Sequence, residues 1–333
     1  MDESTKYWCG SYTPPQGSGT GIGLIELRGD QLSWLGTVAA LDSPSFVATH
    51  PTLEVIYAVE EHRGDLVALR RDGDAWVRHG EPRVAGAAAC HVRVDDAGRF
   101  AVVTCWGDGR MLVYPLDAEG RPLEPILGEE SVDPSGRPSR AHASAQLGPG
   151  TFLTTDLGHD LVRAWRFDGE RLTLLGGLDV GHGSGPRHLA AAGDGRYFVV
   201  TEYSNEVLTL RADEHGLALL GRTPVLRDGM REGDTCSEIA LHESGRWLVV
   251  GVRGSDRIAL LAVHEGGAVT PEGDVDCGGS IPRHLLLVGD RVIVANQHAG
   301  GLALLHLDPV AGALSPVVST LAVASPTCLA TTG

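Results

Sequence analysis

The clearest structural signal in this chain is the segment Cys90-His91-Val92-Arg93-Val94-Asp95-Asp96-Ala97-Gly98-Arg99-Phe100-Ala101-Val102-Val103. An apolar strand is followed by a turn that contains Asp and Gly, and then by a second strand rich in β-branched residues. Residues 187–200 and 237–250 repeat this pattern closely. A unit of two strands and a turn that recurs along a chain is typical of repeat architectures.

Three weaker copies of the unit occupy residues 44–59, 140–155 and 282–295. The six copies can be aligned on the residue that opens the second strand. The resulting period of roughly 44–51 residues is the length of one four-stranded propeller blade. The repeat therefore predicts a β-propeller.

The two ends of the chain supply a seventh unit. Residues 7–12 resemble a second strand with no first strand before it, and residues 326–332 resemble the first strand at 44–50. The sequence thus predicts an all-β fold in which residues 1–333 form a single domain, a seven-bladed β-propeller. We expect it to be closed by pairing of the C-terminal strand with the N-terminal blade, which leaves few exposed strand edges.

Composition and charge exclude several classes of function. With 43 acidic and 27 basic residues the net charge is −16, which disfavours binding to nucleic acid or to an anionic membrane. We find no signal-like N-terminus and no apolar run of about 18 residues, so a cytoplasmic protein without membrane contact is expected. The six cysteines form no CxxC pair and are predicted to be reduced, buried thiols, with a lone disulfide as the alternative.

Two sets of side chains are predicted to meet at one mouth of the central channel, because the inner strand of each blade begins beside the end of its antiparallel neighbour. The first set lies just inside the inner strand and contains Phe46, His91, His142, His188, Glu238, His284 and Cys328, with Arg187 and Arg283 one residue earlier. The second set lies at the end of the next strand and contains Ser11, Glu60, Cys105, Asp156, Glu202 and Asn296, with Arg253 and Gln297 one residue further on.

The arginines of these sets place permanent positive charge in a narrow channel of an acidic protein. A guanidinium binds a carboxylate or phosphate through a planar fork, so this mouth is a candidate site for a small carboxylate or phosphate. The alternatives are ion pairs between these arginines and Glu202, Glu238 or Asp156, and a purely structural role for the repeated histidines. A metal site is a further alternative, but the histidines come from different blades and no HxH, HxxxH or HExxH spacing occurs. We expect neither a metal nor a cofactor.

Several segments in this order resemble a known family, the lactonase-type seven-bladed propellers, which include propeller 6-phosphogluconolactonases and carboxymuconate cyclases. The resemblance spans nearly the whole chain. The segments that carry it are Gly10-Ser11-Tyr12-Thr13, Pro44-Ser45-Phe46, Tyr57-Ala58-Val59-Glu60-Glu61, Ala89-Cys90-His91-Val92, Ala141-His142, Gly185-Pro186-Arg187-His188, Glu202-Tyr203-Ser204-Asn205, Glu238-Ile239, Arg253-Gly254, Pro282-Arg283-His284 and Ala295-Asn296-Gln297.

The resemblance implies a catalytic group of four residues: His142, Arg187, Glu202 and Arg253. Other polar residues at the mouth are expected to contact the substrate: His91, His188, Glu238, Arg283, His284, Asn296, Gln297, Asp156 and Arg140. Two positions depart from the family pattern. A segment similar to a Pro-His-Ala-His box reads Ser139-Arg140-Ala141-His142 here, and Glu60 stands where Asn is common.

The leading functional hypothesis is a hydrolase that opens a small anionic lactone without a cofactor. His142 would act as general base on a water, Arg187 and Arg253 would hold the anion and stabilise the oxyanion, and Glu202 would orient the substrate or shuttle a proton. Two alternatives remain open at this stage. One is a muconate-type lactonising cycloisomerase, and the other is a non-catalytic propeller that binds a small molecule.

Overall fold

The computed structural model describes residues 4–213 and 216–333, which form seven antiparallel sheets. Each sheet has four or five strands, and the innermost strands contact one another in a closed cycle. The structure confirms the predicted all-β, seven-bladed propeller. One short 3-10 turn, Glu265–Gly267, is the only helical element among the described residues, and no helix there is long and apolar enough to cross a membrane.

The strands follow the chain from blade to blade, and the first strand of blades 2 to 7 is the innermost one. Blade 1 contains β1 (Ser4–Ser11), β2 (Ile22–Arg28) and β3 (Gln31–Ala39), and blade 2 contains β4 (Pro44–Thr49), β5 (Val55–Glu60), β6 (Asp65–Asp72), β7 (Ala75–Arg78) and β8 (Arg83–Val84). Blade 3 contains β9 (Ala89–Val94), β10 (Phe100–Cys105), β11 (Met111–Pro115) and β12 (Ile126–Leu127), and blade 4 contains β13 (Ala141–Gly148), β14 (Thr151–Asp156), β15 (Leu161–Phe167) and β16 (Leu172–Asp179).

The remaining blades continue the same order. Blade 5 contains β17 (Pro186–Ala191), β18 (Arg196–Thr201), β19 (Glu206–Asp213) and β20 (Gly216–Pro224), and blade 6 contains β21 (Thr235–Leu241), β22 (Trp247–Arg253), β23 (Arg257–Val263) and β24 (Val269–Asp276). Blade 7 contains β25 (Ser280–Val288), β26 (Arg291–Ala299), β27 (Gly301–Asp308), β28 (Ala313–Leu314) and β29 (Ser319–Leu321), and the final strand is β30 (Pro326–Thr331).

The ring is closed by β30, which becomes the innermost strand of blade 1. It pairs antiparallel with β1, where Cys9 stands opposite Leu329 and Ser11 opposite Pro326. The predicted pairing of the two chain ends is therefore confirmed. Because β30 also packs against the inner strands β4 and β25, the first and last blades are joined like any other neighbours.

The core lies between the blades. Every residue of β5 and of β10 is buried, because each of these middle strands is covered on both faces by neighbouring sheets. Coverage of both faces explains why such strands read as continuous apolar runs in the sequence, instead of alternating apolar and polar residues. All six cysteines are buried and unpaired, as predicted.

The inner strand of every blade shifts register against the second strand at the same end of the channel. Such bulges bend a strand and turn a side chain in a new direction. Hydroxyl groups fix these strand ends to the next blade: Thr104 Oγ1 donates to the carbonyl of His142, and Thr155 Oγ1 donates to the carbonyl of Arg187, both at 2.7 Å. The fold therefore holds the first residues of the inner strands in defined positions at one mouth.

Candidate active site

The channel below this mouth is filled by aromatic and imidazole rings from different blades. The ring centroid of Phe46 lies 4.4 Å from that of His91 and 5.6 Å from that of His284, and the His142 and His188 centroids are 5.0 Å apart. All four histidines are buried. The repeat analysis placed these side chains together, and the structure packs them as a floor beneath the mouth.

A buried carboxylate, Glu238, lies among these rings. Its Oε2 is 3.0 Å from Nδ1 of His188 and 3.2 Å from Nε2 of His284, although neither N–H is aligned for a hydrogen bond. Nδ1 of His284 accepts from the backbone N–H of Leu329 at 3.3 Å, so the proton of the neutral ring is on Nε2, the nitrogen nearer to Glu238. Burial raises the pKa of Glu238.

The channel histidines are held in their neutral form. Burial lowers the pKa values of His91, His142 and His188 well below the ordinary value and lowers that of His284 to about 4. For His142 and His188 the next cause is the positive charge of Arg187. His142 is therefore unprotonated at neutral pH, so one ring nitrogen carries a free lone pair, and its Nδ1 is buried without a hydrogen-bond partner among the described residues.

Three residues predicted to be catalytic form one ionic cluster at the mouth. Glu202 Oε2 lies 2.9 Å from Nε of Arg187 and 3.1 Å from Nη2 of Arg253. Backbone carbonyls fix both guanidiniums, since Arg187 Nη1 donates to Ser237 at 2.6 Å and Arg253 Nη2 donates to Cys236 at 3.1 Å. We call Arg187, Glu202 and Arg253 the triad.

The triad carries an excess of positive charge. Although burial opposes ionisation of Glu202, the two guanidiniums lower its pKa below the ordinary value, so the carboxylate stays charged. Burial lowers the pKa of Arg187 to about 10, and the like charge of Arg253 adds to this effect. Because Arg187 remains protonated at neutral pH, two cations share one anion, and the cluster can accept a further anionic group.

His142 and Arg187 line the same small cavity, which has a volume of about 10 Å³. That volume matches roughly one water molecule. The walls also include His188, Arg283 and His284. The predicted base, one triad guanidinium and three predicted substrate-binding residues therefore line a space about the size of one water molecule.

Arg283 contacts two residues at the mouth, Tyr12 and Glu61, and neither of them was assigned a role from the sequence. Its Cζ lies 4.9 Å from the ring centroid of Tyr12, and its Nη2 lies 3.8 Å from Oε2 of Glu61. The hydroxyl of Tyr12 donates to the Glu61 carboxylate at 3.0 Å. Both residues stand directly beside positions of the second set, which is the sequence signal that could have identified them.

Asp156 does not join the ionic cluster. Its Oδ1 accepts from the backbone N–H groups of Arg140, Gly158 and His159 at 2.8–3.1 Å. Its Oδ2 accepts from the hydroxyls of Ser131 and Ser139. All of these partners belong to the loops around the end of β14, so Asp156 stabilises those loops instead of facing the triad.

Other members of the second set also bind backbone groups of nearby loops. Asn296 Nδ2 donates to the carbonyl of Cys277 at 3.0 Å, and Gln297 lies half-buried beside it. Ser11 Oγ donates to the carbonyl of Gly21 at 2.7 Å, and Glu60 Oε1 accepts from the N–H of Asp42 at 2.9 Å. Glu202 is thus the member of this set whose carboxylate pairs with the guanidiniums of the triad.

Arg140 lies at the rim of the mouth. Its Cζ is 4.4 Å from the ring centroid of Trp106, and its Nη1 donates to the carbonyls of Trp106, at 3.0 Å, and Gly107. Among the described residues, no three His, Cys, Asp or Glu side chains are arranged so that they could hold a metal ion.

Comparison with known proteins shows a likeness over nearly the whole chain. The family model described as Lactonase, 7-bladed beta-propeller matches residues 6–331. A 6-phosphogluconolactonase of Bacillus subtilis is 27% identical, with 98% of each chain covered, and one of Formosa agariphila is 23% identical, with 94% of this chain and 96% of that one covered.

Solved structures show the same fold. A Lactobacillus plantarum protein superposes with a TM-score of 0.88 at 23% identity, covering 98% of this chain and 99% of the other. The periplasmic gluconolactonase of Pseudomonas aeruginosa gives 0.87 at 23% identity, with 98% of each chain covered. By its sequence match and its architecture, this chain belongs to the lactonase family of seven-bladed β-propellers.

Proposed function

We propose that this chain is a hydrolase that opens a small anionic lactone. The observation that carries the proposal is the meeting of the triad with His142, a buried neutral imidazole that lines one cavity with Arg187. Two of its relatives are named 6-phosphogluconolactonase, and a protein of the same fold is named gluconolactonase. Those names describe lactone hydrolysis, and the arrangement of these residues favours the same reaction.

The triad would bind the substrate and stabilise its transition state. Hydrolysis converts a lactone carbonyl into a tetrahedral oxyanion, and donors held in place beforehand stabilise that charge without reorganising during the reaction. Arg187 and Arg253 are held by backbone carbonyls and by Glu202, so they meet this condition. Removing such a donor costs on the order of 10²–10³-fold in rate in other hydrolases.

His142 would supply the general base. The imidazole takes a proton from water while the water oxygen adds to the lactone carbonyl carbon. The tetrahedral intermediate then collapses, the bond from the carbonyl carbon to the ring oxygen breaks, and the imidazolium returns its proton to that oxygen. The product is a hydroxy acid, and no oxidant, reductant or cofactor is needed.

Ring opening by the purified chain tests this proposal. Glucono-δ-lactone, 6-phosphoglucono-δ-lactone and a muconate are incubated with the protein at pH 7, and acid release is followed in a pH-stat against the uncatalysed rate. We expect opening of at least one lactone, undiminished by EDTA because the groups assigned to the reaction are imidazole, carboxylate and guanidinium.

The three functional hypotheses give different outcomes in this panel. Closure of a muconate would favour the cycloisomerase, and tight binding without turnover would favour a binding propeller. Loss of lactone opening with EDTA, and its return with a divalent ion, would show that the site uses a metal.

A further inference from the structure

Three residues from consecutive blades lie next to strand ends at this mouth and form what we call the rim: Trp106, Arg140 and Tyr203. Trp106 directly follows β10 of blade 3, and its side chain is 41% exposed. Arg140 directly precedes β13 of blade 4, and Tyr203, which is 51% exposed, follows Glu202 of the triad. Large exposed aromatic side chains beside a polar site are a common feature of ligand-binding surfaces.

The guanidinium of Arg140 is held in one position. Two carbonyl oxygens accept from its Nη1, and the indole of Trp106 lies against its face. The backbone N–H of Arg140 donates to Asp156 at 2.8 Å. The side chain passes so close to Gly158 that a Cβ atom there would lie 2.8 Å from Arg140 Cγ. A cation fixed in this way loses little conformational entropy when it binds a ligand.

The charge of Arg140 also lacks an acidic partner. Arg187, Arg253 and Arg283 each lie within ion-pair distance of a carboxylate, whereas Arg140 has none among the described residues. Burial and the neighbouring Glu202 raise the pKa of Tyr203, and the positive charge of Arg140 acts in the opposite direction. An unpaired guanidinium at the mouth of an acidic protein is available to an anionic ligand.

We infer that the rim is a second anion subsite, which binds a phosphate or carboxylate carried by the lactone on a carbon remote from its carbonyl group. The inference rests on the proposed function, because it takes the lactone ring to lie against Arg187 and His142. Arg140 and His142 are two positions apart, with Ala141 between them, which is about 7 Å of extended chain. A six-carbon sugar acid can span that distance, with its C–H groups against the rings of Trp106 and Tyr203.

Binding of the two hydrolysis products tests the rim independently of turnover. Titration calorimetry compares 6-phosphogluconate with gluconate on the wild-type chain and on Arg140→Ala. A matched control is Arg246→Ala, because Arg246 also stacks on an indole, with Cζ 5.8 Å from the Trp247 ring centroid, but in the turn between β21 and β22. Circular dichroism checks that each variant is folded, and Arg140→Gln replaces Arg140→Ala if the alanine variant is not.

We expect the wild-type chain to bind the phosphorylated product roughly tenfold more tightly, which is the lower end for a charged hydrogen bond because the rim is partly exposed. Arg140→Ala should remove this preference and Arg246→Ala should keep it. The preference should also shrink as salt is raised. Equal affinities in the wild type, or a preference that survives Arg140→Ala, would overturn the inference.

The two proposals fail in different experiments. If the chain opens lactones but binds both products equally, the anion subsite at the rim is contradicted and the proposed hydrolase activity still stands. A chain that prefers the phosphorylated product through Arg140 but opens no lactone would contradict the hydrolase and leave the rim as an anion site.

Discussion

Asp156 in blade 4 and Glu202 in blade 5 occupy corresponding positions at the end of the second strand, and the molecule uses them differently. Asp156 accepts hydrogen bonds from three backbone N–H groups and two hydroxyls of its own loops. Glu202 instead pairs with Arg187 and with Arg253, which belongs to the next blade. One carboxylate fixes the scaffold, and the other fixes the charges of the site.

The length of the side chain accounts for much of this difference. The carboxylate of Asp is close enough to its own backbone to accept from N–H groups two and three residues further on, which is why Asp and Asn favour such turns. Glu202 has one more methylene group, and two fixed guanidiniums lie within its reach. The repeat therefore supplies equivalent positions, and the residue at each position determines whether its side chain stabilises a turn or contributes to the mouth.

The largest expected effect concerns His142, the proposed general base, which lies in blade 4. His142→Ala should lower kcat about 10²–10⁴-fold, or about 3–5 kcal/mol, with a smaller change in KM, because a base acts in the chemical step. Steady-state kinetics on the lactone opened fastest checks this. His264→Ala is the control, since His264 is a surface histidine in blade 6 whose ring bonds Thr270. Full turnover by His142→Ala would place the base elsewhere in the channel.

The next effect separates the two carboxylates directly. Asp156→Ala should lower the free energy of unfolding by about 2–4 kcal/mol, because a buried carboxylate is removed and several donors lose their acceptor. The folded fraction should keep most of its turnover. Glu202→Gln should lower kcat/KM more and stability less than Asp156→Ala, because the amide oxygen of Gln can still accept from the guanidiniums while the charge is lost. Thermal melts and kinetics on both variants check this contrast, and equal loss of stability in the two variants would contradict it.

The sequence was sufficient to predict the blades and the closure of the ring, because both depend on a pattern repeated many times. It also brought His142 and the triad to one mouth. It could not show that Asp156 and Asn296 bind their own loops, since equivalent positions in a repeat do not specify side-chain direction. The rings of Trp106 and Tyr203 reach the mouth through loop conformations, which have no strand periodicity to reveal them.

A smaller effect is expected when lysine replaces Arg187, because the positive charge is kept but the planar pair of N–H donors is lost. Arg187→Lys should lower kcat/KM about 10–150-fold, which corresponds to about 1.5–3 kcal/mol for one hydrogen bond to a charged group. The matched control is Arg163→Lys in blade 4, because Arg163 is equally buried and its Nη1 donates to the carbonyl of Glu129. If the Arg187→Lys variant keeps full activity, only the charge matters at this position.

The smallest effect tests the neutral state of the channel histidines. Burial lowers the pKa of His142 in the folded chain well below the ordinary value of 6.5, so below pH 6.5 the unfolded chain binds more protons than the folded one. The stability that depends on a neutral His142 is therefore complete above pH 6.5 and is lost as the pH falls from there towards the folded pKa. The loss is at most about 1.4 kcal/mol per pH unit for one histidine.

Comparison of wild type with His142→Gln isolates this contribution. The raised pKa of Glu238 acts with the opposite sign, and His91, His188 and His284 act with the same sign, but these four groups are present in both chains. Urea unfolding at pH 7.5, 6.5, 5.5 and 4.5 should show a shallower loss of stability for His142→Gln below pH 6.5. Parallel curves for the two chains would mean that His142 takes up its proton as readily in the folded channel as in water. They would contradict the claim that burial and Arg187 hold His142 neutral.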